Sequence, residues 1–327
     1  MTHRERIEAA IRGEKTDRVP IALWRHFPHE DQTAQGHADA VISFQKQFDF
    51  DLVKVTPTSS YPAEAWGATF KHKDNEEGTR ECIEPAVQEP GDWAALPALD
   101  FKAGVLAREL ETLRLVREGV GPDVHVLQTI FSPLTIGKQL AGEELLAESM
   151  RDHGDALKAG LETVAETMAR YITASLNSGA DSIFFATQYI GRSMATDEQY
   201  REFGVPYDMT VLDALSGSDT HVLMHLHGPD PMFELLDEYP VDMVNWHDRE
   251  TSPTLGEGHA KFTKGAVVGG IGREGVMLHG TPDEVTAEVK DAISQTGGER
   301  LVISTGCVTM TTTPEANIAA ARAAVEG

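Results

Sequence analysis

Two histidines and a distant cysteine have the side chains, and the positions relative to predicted strands, that suit the binding of a metal ion. His225 and His227 stand two positions apart at the end of the apolar run 221–226, and Gly228 follows them. Side chains two positions apart on a β-strand share a face, so both imidazoles would point the same way where the strand runs into a loop. Two adjacent nitrogen ligands are the start of a metal site, and Cys307, after the last strand-like run, offers a third ligand.

Two imidazoles and a thiolate suit Zn²⁺, and three protein ligands leave one position for water or a substrate. Such a metal would act as a Lewis acid, or it would bind and activate a substrate thiol. The alternative is that His225 and His227 only make hydrogen bonds in a pocket and that Cys307 is a small buried filler.

Eight short apolar runs would position these residues. Continuous apolar strands that are buried on both faces are typical of a parallel sheet. Eight of them separated mostly by helices predict an α/β fold, the (β/α)8 TIM barrel, as a single domain over residues 1–327. An open doubly wound sheet is the alternative. It would require a Gly-rich dinucleotide-binding turn after the first strand, where this chain has Trp24-Arg25-His26-Phe27. The predicted strands are residues 18–23, 51–55, 124–130, 182–186, 221–226, 242–246, 266–270 and 301–305.

One segment, at about 57–100, breaks the alternation of strand and helix. It is rich in Pro, Gly and charge, so we expect an excursion over the barrel mouth with a hairpin around 69–73. Thr2 with Glu5 forms a capping-box pattern at the first helix. The predicted helices are residues 2–12, 32–47, 104–118, 134–142, 145–177 with a break near 153–154, 197–215, 230–238, 283–295 and 314–325.

Polar side chains follow several of the predicted strands, which is where a barrel carries its chemistry. His and Asp in sequence could serve as acid–base groups, with a helix cap and a solvated charge run as the alternative. An arginine after the first strand could grip a carboxylate bidentately, with a salt bridge at the barrel rim as the alternative. The predicted catalytic residues are Tyr189, His247 and Asp248. The predicted substrate-binding residues are Arg25, His29, Thr56, Gln188, Asn245 and Arg249.

The composition narrows the class of partner. Lys and Arg number 28 against 52 Asp and Glu, and the net charge of −24 disfavours nucleic acid and anionic membrane surfaces. Cys82 and Cys307 alone argue against a disulfide framework. No apolar run reaches the length of a membrane span, and the N-terminus has no apolar signal core, so we expect a cytoplasmic protein that acts on a small molecule. The oligomeric state is open.

Motifs along the chain resemble those of the uroporphyrinogen decarboxylase superfamily, which includes corrinoid-dependent methyltransferases. The likeness covers nearly the whole chain, is strongest in its C-terminal half, and implies the barrel fold. The motifs are Gly179–Phe185 with Tyr200–Tyr207, His225–Gly228, Gly269–Ile271 with Gly280–Val285, and Gly306-Cys307 with Thr313–Ile318.

The resemblance favours the methyltransferase branch. True decarboxylases carry two arginines in the segment where this chain has Arg25 alone, and their pyrrole-binding Asp falls near Pro57. The family's zinc-dependent methyltransferases carry His-x-Cys and a later Cys; this chain matches the His and the late Cys, with His227 in place of the first Cys. The resemblance therefore implies methyl transfer to or from a metal-activated heteroatom, zinc as cofactor, and a separate corrinoid protein as partner.

Three alternatives stay open at this point. One is decarboxylation of a smaller acid gripped by Arg25. Another is metal-dependent hydrolysis, although amidohydrolases carry their His-x-His on the first strand and here it lies on the fifth. The third is a tetrapyrrole- or corrinoid-binding protein without catalysis.

Overall fold

The structure, a computed structural model, describes residues 1–326. The strands are β1 (Leu52–Val55), β2 (Thr69–His72), β3 (Arg80–Glu84), β4 (His125–Phe131), β5 (Ser182–Thr187), β6 (Val222–Leu226), β7 (Met243–Trp246), β8 (Ala266–Ile271) and β9 (Leu301–Thr305). Seven of them form a parallel sheet in the order β1-β4-β5-β6-β7-β8-β9, and β2 pairs with β3 in an antiparallel hairpin. Every residue of the seven parallel strands is buried, as predicted from their continuous apolar runs.

The predicted first strand, 18–23, is reduced to a single parallel bridge between Ile21 and Ile303 of β9. On its other side, the N–H of Asp51 donates to the carbonyl of Ile21, so the segment lies between β9 and β1. The prediction of a full strand here was wrong because Pro20 has no N–H and because the Ile21 N–H donates to the Asp51 carboxylate instead of a strand carbonyl. The bridge nevertheless joins the two ends of the sheet and completes the eight-position barrel.

The helices follow the predicted alternation, with some differences. The predicted break near 153–154 is confirmed between α6 and α7. The predicted helix 197–215 is instead split at Gly204, because Pro206 fits only the first turn of a new helix. The predicted helix 230–238 is a 3₁₀ helix over Phe233–Asp237. The helices are α1 (His3–Ile11), α2 (Ala34–Phe48), α3 (Tyr61–Ala65), α4 (Gly104–Val120), α5 (Pro133–Ala141), α6 (Glu143–Asp152), α7 (Gly154–Asn177), α8 (Asp197–Phe203), α9 (Val205–Leu212), α10 (Leu255–Lys261), α11 (Val276–His279), α12 (Pro282–Thr296) and α13 (Glu315–Ala324).

The segment 57–100 holds α3, the β2–β3 hairpin and a 3₁₀ helix over Pro90–Ala95. The hairpin expected around 69–73 is therefore present, and its return strand is β3. Glu77 and Thr79, in the loop that joins the two strands, line a cavity at the barrel mouth. This part of the chain thus covers the end of the barrel where the polar strand ends lie. The single-domain organisation stays a prediction.

Along the described residues, 1–326, none of the helices combines the length and the apolar character that crossing a membrane requires.

Candidate metal centre

Four side chains converge at the carboxyl ends of three strands. β6 supplies His225 and leads to His227, the turn after β7 supplies His247, and the turn after β9 supplies Cys307. One nitrogen or sulfur atom from each lies within 4.8 Å of the corresponding atoms of the other three. His227 Nδ1 lies 3.4 Å from His225 Nε2, 3.5 Å from His247 Nε2 and 3.8 Å from Cys307 Sγ.

The three separations from His227 Nδ1 are compatible with a tetrahedral zinc ion. Zn–N bonds of 2.0–2.1 Å and Zn–S bonds of 2.3 Å place neighbouring ligand atoms roughly 3.4–3.6 Å apart. The separations from His227 Nδ1 are close to that spacing. With each imidazole neutral and Cys307 deprotonated, a cation at this point would meet three imidazole lone pairs and one thiolate.

Hydrogen bonds behind the imidazoles fix which nitrogen faces the centre. His225 Nδ1 lies 2.7 Å from Asn245 Oδ1, and Asn245 Nδ2 donates to the carbonyls of Val268 and Thr305. Since the amide NH₂ is committed to those carbonyls, its oxygen must accept from His225 Nδ1–H, which leaves the Nε2 lone pair free. His247 Nδ1 is held in the same way, 2.8 Å from the Glu250 carboxylate.

The electrostatics of the cluster favour a thiolate. Burial alone would raise the pKa of Cys307, but the charge of His225 and hydrogen bonds from the three imidazoles lower that pKa well below its usual range. Burial lowers the pKa of His225. For His247, burial works in the same direction, but the Cys307 sulfur and the Glu250 carboxylate outweigh it and raise the pKa.

A close backbone approach brings the cysteine to the histidines. A Cβ at Gly306 would lie 2.7 Å from both the Cα of His247 and the carbonyl oxygen of Trp246. Only glycine therefore lets the chain after β9 pass so near the end of β7. Gly306 thus allows the sulfur of Cys307 to reach His227, which lies 80 residues earlier in the chain.

The centre forms one wall of an inner cavity of about 70 Å³. A wider cavity of about 570 Å³ adjoins it and shares Ser59, Glu77, Thr79, Gln188 and His227. Of the predicted substrate-binding residues, Thr56 and Gln188 line the inner cavity. The sequence-based interpretation missed His26 and Lys54, which also line it. Burial lowers the pKa of His26 to about 3 and that of Lys54 to about 7.

Arg25 and His29 lie elsewhere. The Arg25 guanidinium sits over the rings of Phe27 and Phe44, on the side of the segment that packs against α2, while the neighbouring His26 faces the cavity. His29 is exposed, and its ring lies 5.0 Å from that of His72 on the hairpin. The alternation of side chains along the segment therefore turns Arg25 away from the inner cavity that His26 lines, and its role in binding a carboxylate stays a prediction.

The other predicted residues do not line the inner cavity, and of these Asn245 is the one that contacts the cluster. Asn245 is fully buried and orients His225. Both carboxylate oxygens of Asp248 accept from the Gly270 N–H, and burial raises the pKa of Asp248 to about 7. Arg249 donates to the carbonyl of Gly270 and pairs with Asp291 on α12. Burial raises the pKa of Tyr189 to about 12.

A family model described as uroporphyrinogen decarboxylase (URO-D) matches residues 2–327. The chain belongs to this family. Relatives of two kinds are similar to it over nearly their whole length. The methylcobamide:CoM methyltransferase MtbA of Methanosarcina mazei is 22% identical, over 97% of this chain and 95% of the relative. A uroporphyrinogen decarboxylase of Prochlorococcus marinus is 23% identical, over 94% of this chain and 92% of the relative.

A solved structure, described as a methyltransferase from Methanosarcina mazei, has a TM-score of 0.86 with 19% identity and covers 99% of this chain and 98% of its own. At that identity the likeness shows the fold, and it confirms the predicted barrel. The predicted family is confirmed as well. The prediction of an enzyme, methyltransferase-like with a carboxy-lyase as the alternative, is supported by relatives of both kinds.

Proposed function

We propose that the protein is a zinc-dependent methyltransferase that moves a methyl group between a corrinoid and a metal-activated heteroatom of a small substrate. The observation that carries the proposal is the convergence of His225, His227, His247 and Cys307 within bonding reach of one ion. In this proposal His247, predicted as an acid–base group, is instead a fourth ligand.

The chain's own residues would prepare the centre. Asn245 and Glu250 hold His225 and His247 in the tautomers that present Nε2 to the ion, and Cys307 contributes a thiolate. Bound zinc would lower the pKa of a substrate thiol or similar group, so that the group attacks a methyl donor as an anion. Four protein ligands fill a tetrahedron, so we expect one imidazole to yield when the substrate atom arrives.

The cavities favour a small substrate over a tetrapyrrole. An inner volume of about 70 Å³ has room for only a few water-sized groups beside the four ligands. The wider cavity, which Arg80 and Cys82 of the hairpin help to line, would be the approach for the methyl-carrying corrinoid. Arg25, the one candidate to grip a substrate carboxylate in a decarboxylase, packs on Phe27 and Phe44.

A spectroscopic assay tests the proposal. Zinc-loaded protein is mixed with methylcob(III)alamin and a small thiol such as 3-mercaptopropan-1-ol, and loss of the methylcobalamin absorbance and formation of the methyl thioether are followed. We expect transfer that stops when zinc is removed and that is absent in Cys307→Ala. Release of carbon dioxide from a carboxylated substrate, equally fast with and without zinc, would contradict the proposal.

A further inference from the structure

A lysine ammonium is buried in the inner cavity without a carboxylate partner. Lys54 lies in the middle of β1, is 6% exposed and lines the same cavity as the metal centre. Among residues 1–326, none of the carboxylates is placed within 4.0 Å of its Nζ atom. Glu77, the acidic residue that lines this cavity, is paired with Arg273 at 2.7 Å. Charging a buried lysine without a carboxylate partner is costly, and burial lowers the pKa of Lys54 to about 7, so an anion bound beside it would favour the charged form.

The contacts of the ammonium leave donors free. An ammonium group has three N–H donors. One donates to Thr56 Oγ1 at 3.2 Å, and the hydroxyl of Thr56 in turn donates to the carbonyl of Lys54. Nζ also lies over two aromatic faces, 4.4 Å from the ring centroid of Phe184 and 5.9 Å from that of Trp24. Two N–H donors therefore have no acceptor among the described residues.

We propose that Lys54 and Thr56 form a subsite for the oxyanion end, a carboxylate or a sulfonate, of a short substrate whose other end reaches the metal centre. The aromatic walls exclude water, which strengthens an ion pair formed there. The small volume of the inner cavity limits the oxyanion to one at the end of a short chain. The placement of the substrate's other end at the metal centre rests on the proposed function, whereas the binding of an oxyanion by Lys54 does not.

A competing explanation is that Lys54 only balances the negative charge of Cys307, since that charge partly offsets the effect of burial on the lysine. The two explanations differ in whether metal binding needs the lysine. If Lys54 balances the charge of the Cys307 thiolate, its loss should weaken zinc binding. If Lys54 binds the oxyanion of a substrate, its loss should leave zinc binding unchanged. Zinc content is therefore measured in every variant below.

The test compares three thiols of equal chain length on the zinc-loaded protein by calorimetry: 3-mercaptopropionate, 3-mercaptopropane-1-sulfonate and the neutral 3-mercaptopropan-1-ol. We expect at least one of the anions to bind ten times more tightly than the alcohol. In Lys54→Met we expect that preference to vanish while the alcohol affinity and the zinc content stay within twofold. Lys158→Met is the matched control, because Lys158 also lies over a phenylalanine ring, Phe203, but on the surface and paired with Glu202.

Stability provides a second readout. Since Lys54→Met removes a buried unpaired charge, its melting temperature should be equal to or a few degrees above that of the wild type. Lys54→Gln, which also lacks the charge, gives the same comparison if the methionine variant does not fold. Equal affinity of the wild type for all three thiols would overturn the proposal, and so would an anion preference that survives in both variants. Loss of zinc in both would assign Lys54 to Cys307 and overturn it too.

Butanoate separates this proposal from the proposed function. It carries an oxyanion but no thiol, and its binding is measured on zinc-free protein, so that its carboxylate has no metal to bind. If no thiol binds but butanoate binds the wild type and not Lys54→Met, the metal hypothesis fails and the subsite stands. If the thiols bind without any anion preference, the subsite fails and the metal hypothesis stands.

Discussion

The two walls of the inner cavity differ in how completely their polar groups are satisfied. The metal wall is formed by His225, His227 and Cys307, which make up the cluster together with His247, and hydrogen bonds fix two imidazoles of that cluster. The lysine wall, which consists of Trp24, Lys54, Thr56 and Phe184, lines the same cavity with aromatic rings and one ammonium that has two donors to spare. One wall is organised to hold a cation before any substrate arrives, and the other is completed only by a ligand.

Because of this difference, substitutions in the two walls should change different measured quantities. Changes to the metal wall or to its supporting bonds should alter zinc affinity first and activity as a consequence. Changes to the lysine wall should alter substrate preference and leave zinc affinity alone. Substitutions on each wall can test that separation, beginning with the one that should matter most.

Loss of the sulfur ligand should have the largest effect. In Cys307→Ala we expect zinc affinity to fall by more than 100-fold, beyond the effect of losing a supporting hydrogen bond, because a thiolate ligand is removed outright. Competition with a chromophoric chelator measures this. Lys54→Met serves as the control on the opposite wall and should lie within twofold of the wild type. Equal losses in the two variants would contradict the separation of the walls.

Removal of the amide behind His225 should come next. Asn245→Ala takes away the acceptor that fixes the tautomer of His225 and leaves the carbonyls of Val268 and Thr305 without their donor. We expect zinc affinity to drop by about 10–100-fold. Circular dichroism with thermal melting controls for misfolding, since a buried hydrogen-bonded residue is removed. A folded variant with unchanged affinity would show that the bond does not position the ligand.

The carboxylate behind His247 should matter less. Glu250 is 38% exposed, so water can replace part of what it does. In Glu250→Gln we expect a loss in zinc affinity of about tenfold or less, at the lower end of the range for such supporting groups. The same chelator competition measures it. A larger loss than that of Asn245→Ala would reverse the ranking of the two supports derived from their burial.

His29 should have the smallest effect. Its side chain is exposed beside His72 of the hairpin and outside the inner cavity. In His29→Ala we expect zinc affinity, thiol affinity and activity to change by less than twofold. The methylcobalamin assay and calorimetry check this. A tenfold effect on any of the three would mean that the hairpin repositions His29 into the site when substrate binds.

Much of the barrel and the core of the site could be predicted from local patterns. The buried strands read as continuous apolar runs, the Thr2–Glu5 capping box is present at α1, and the His-x-His pair does lie with Cys307. The reason is that side-chain alternation and strand ends are properties of the sequence itself. The family motifs added the barrel topology, which the pattern alone left open against a doubly wound sheet.

The remainder depends on contacts between distant segments. From the sequence, His247 is predicted to be an acid–base group. Its neighbours in the sequence do not indicate that Gly306 allows Cys307 to pass beside it. Arg25 and His26 are adjacent, and only the packing against α2 decides which of them faces the cavity. Lys54 did leave a signal, a charged residue inside an otherwise apolar strand, and it could have been singled out on that basis.

The most direct test of the central claim is zinc analysis combined with X-ray absorption on the protein purified without a histidine tag. We expect one zinc ion per chain, with one sulfur neighbour at about 2.3 Å and nitrogen neighbours at about 2.0–2.1 Å, and we expect the sulfur contribution to be missing in Cys307→Ala. Failure to bind a stoichiometric transition metal even after zinc is added, or a bound ion with no sulfur neighbour, would contradict it.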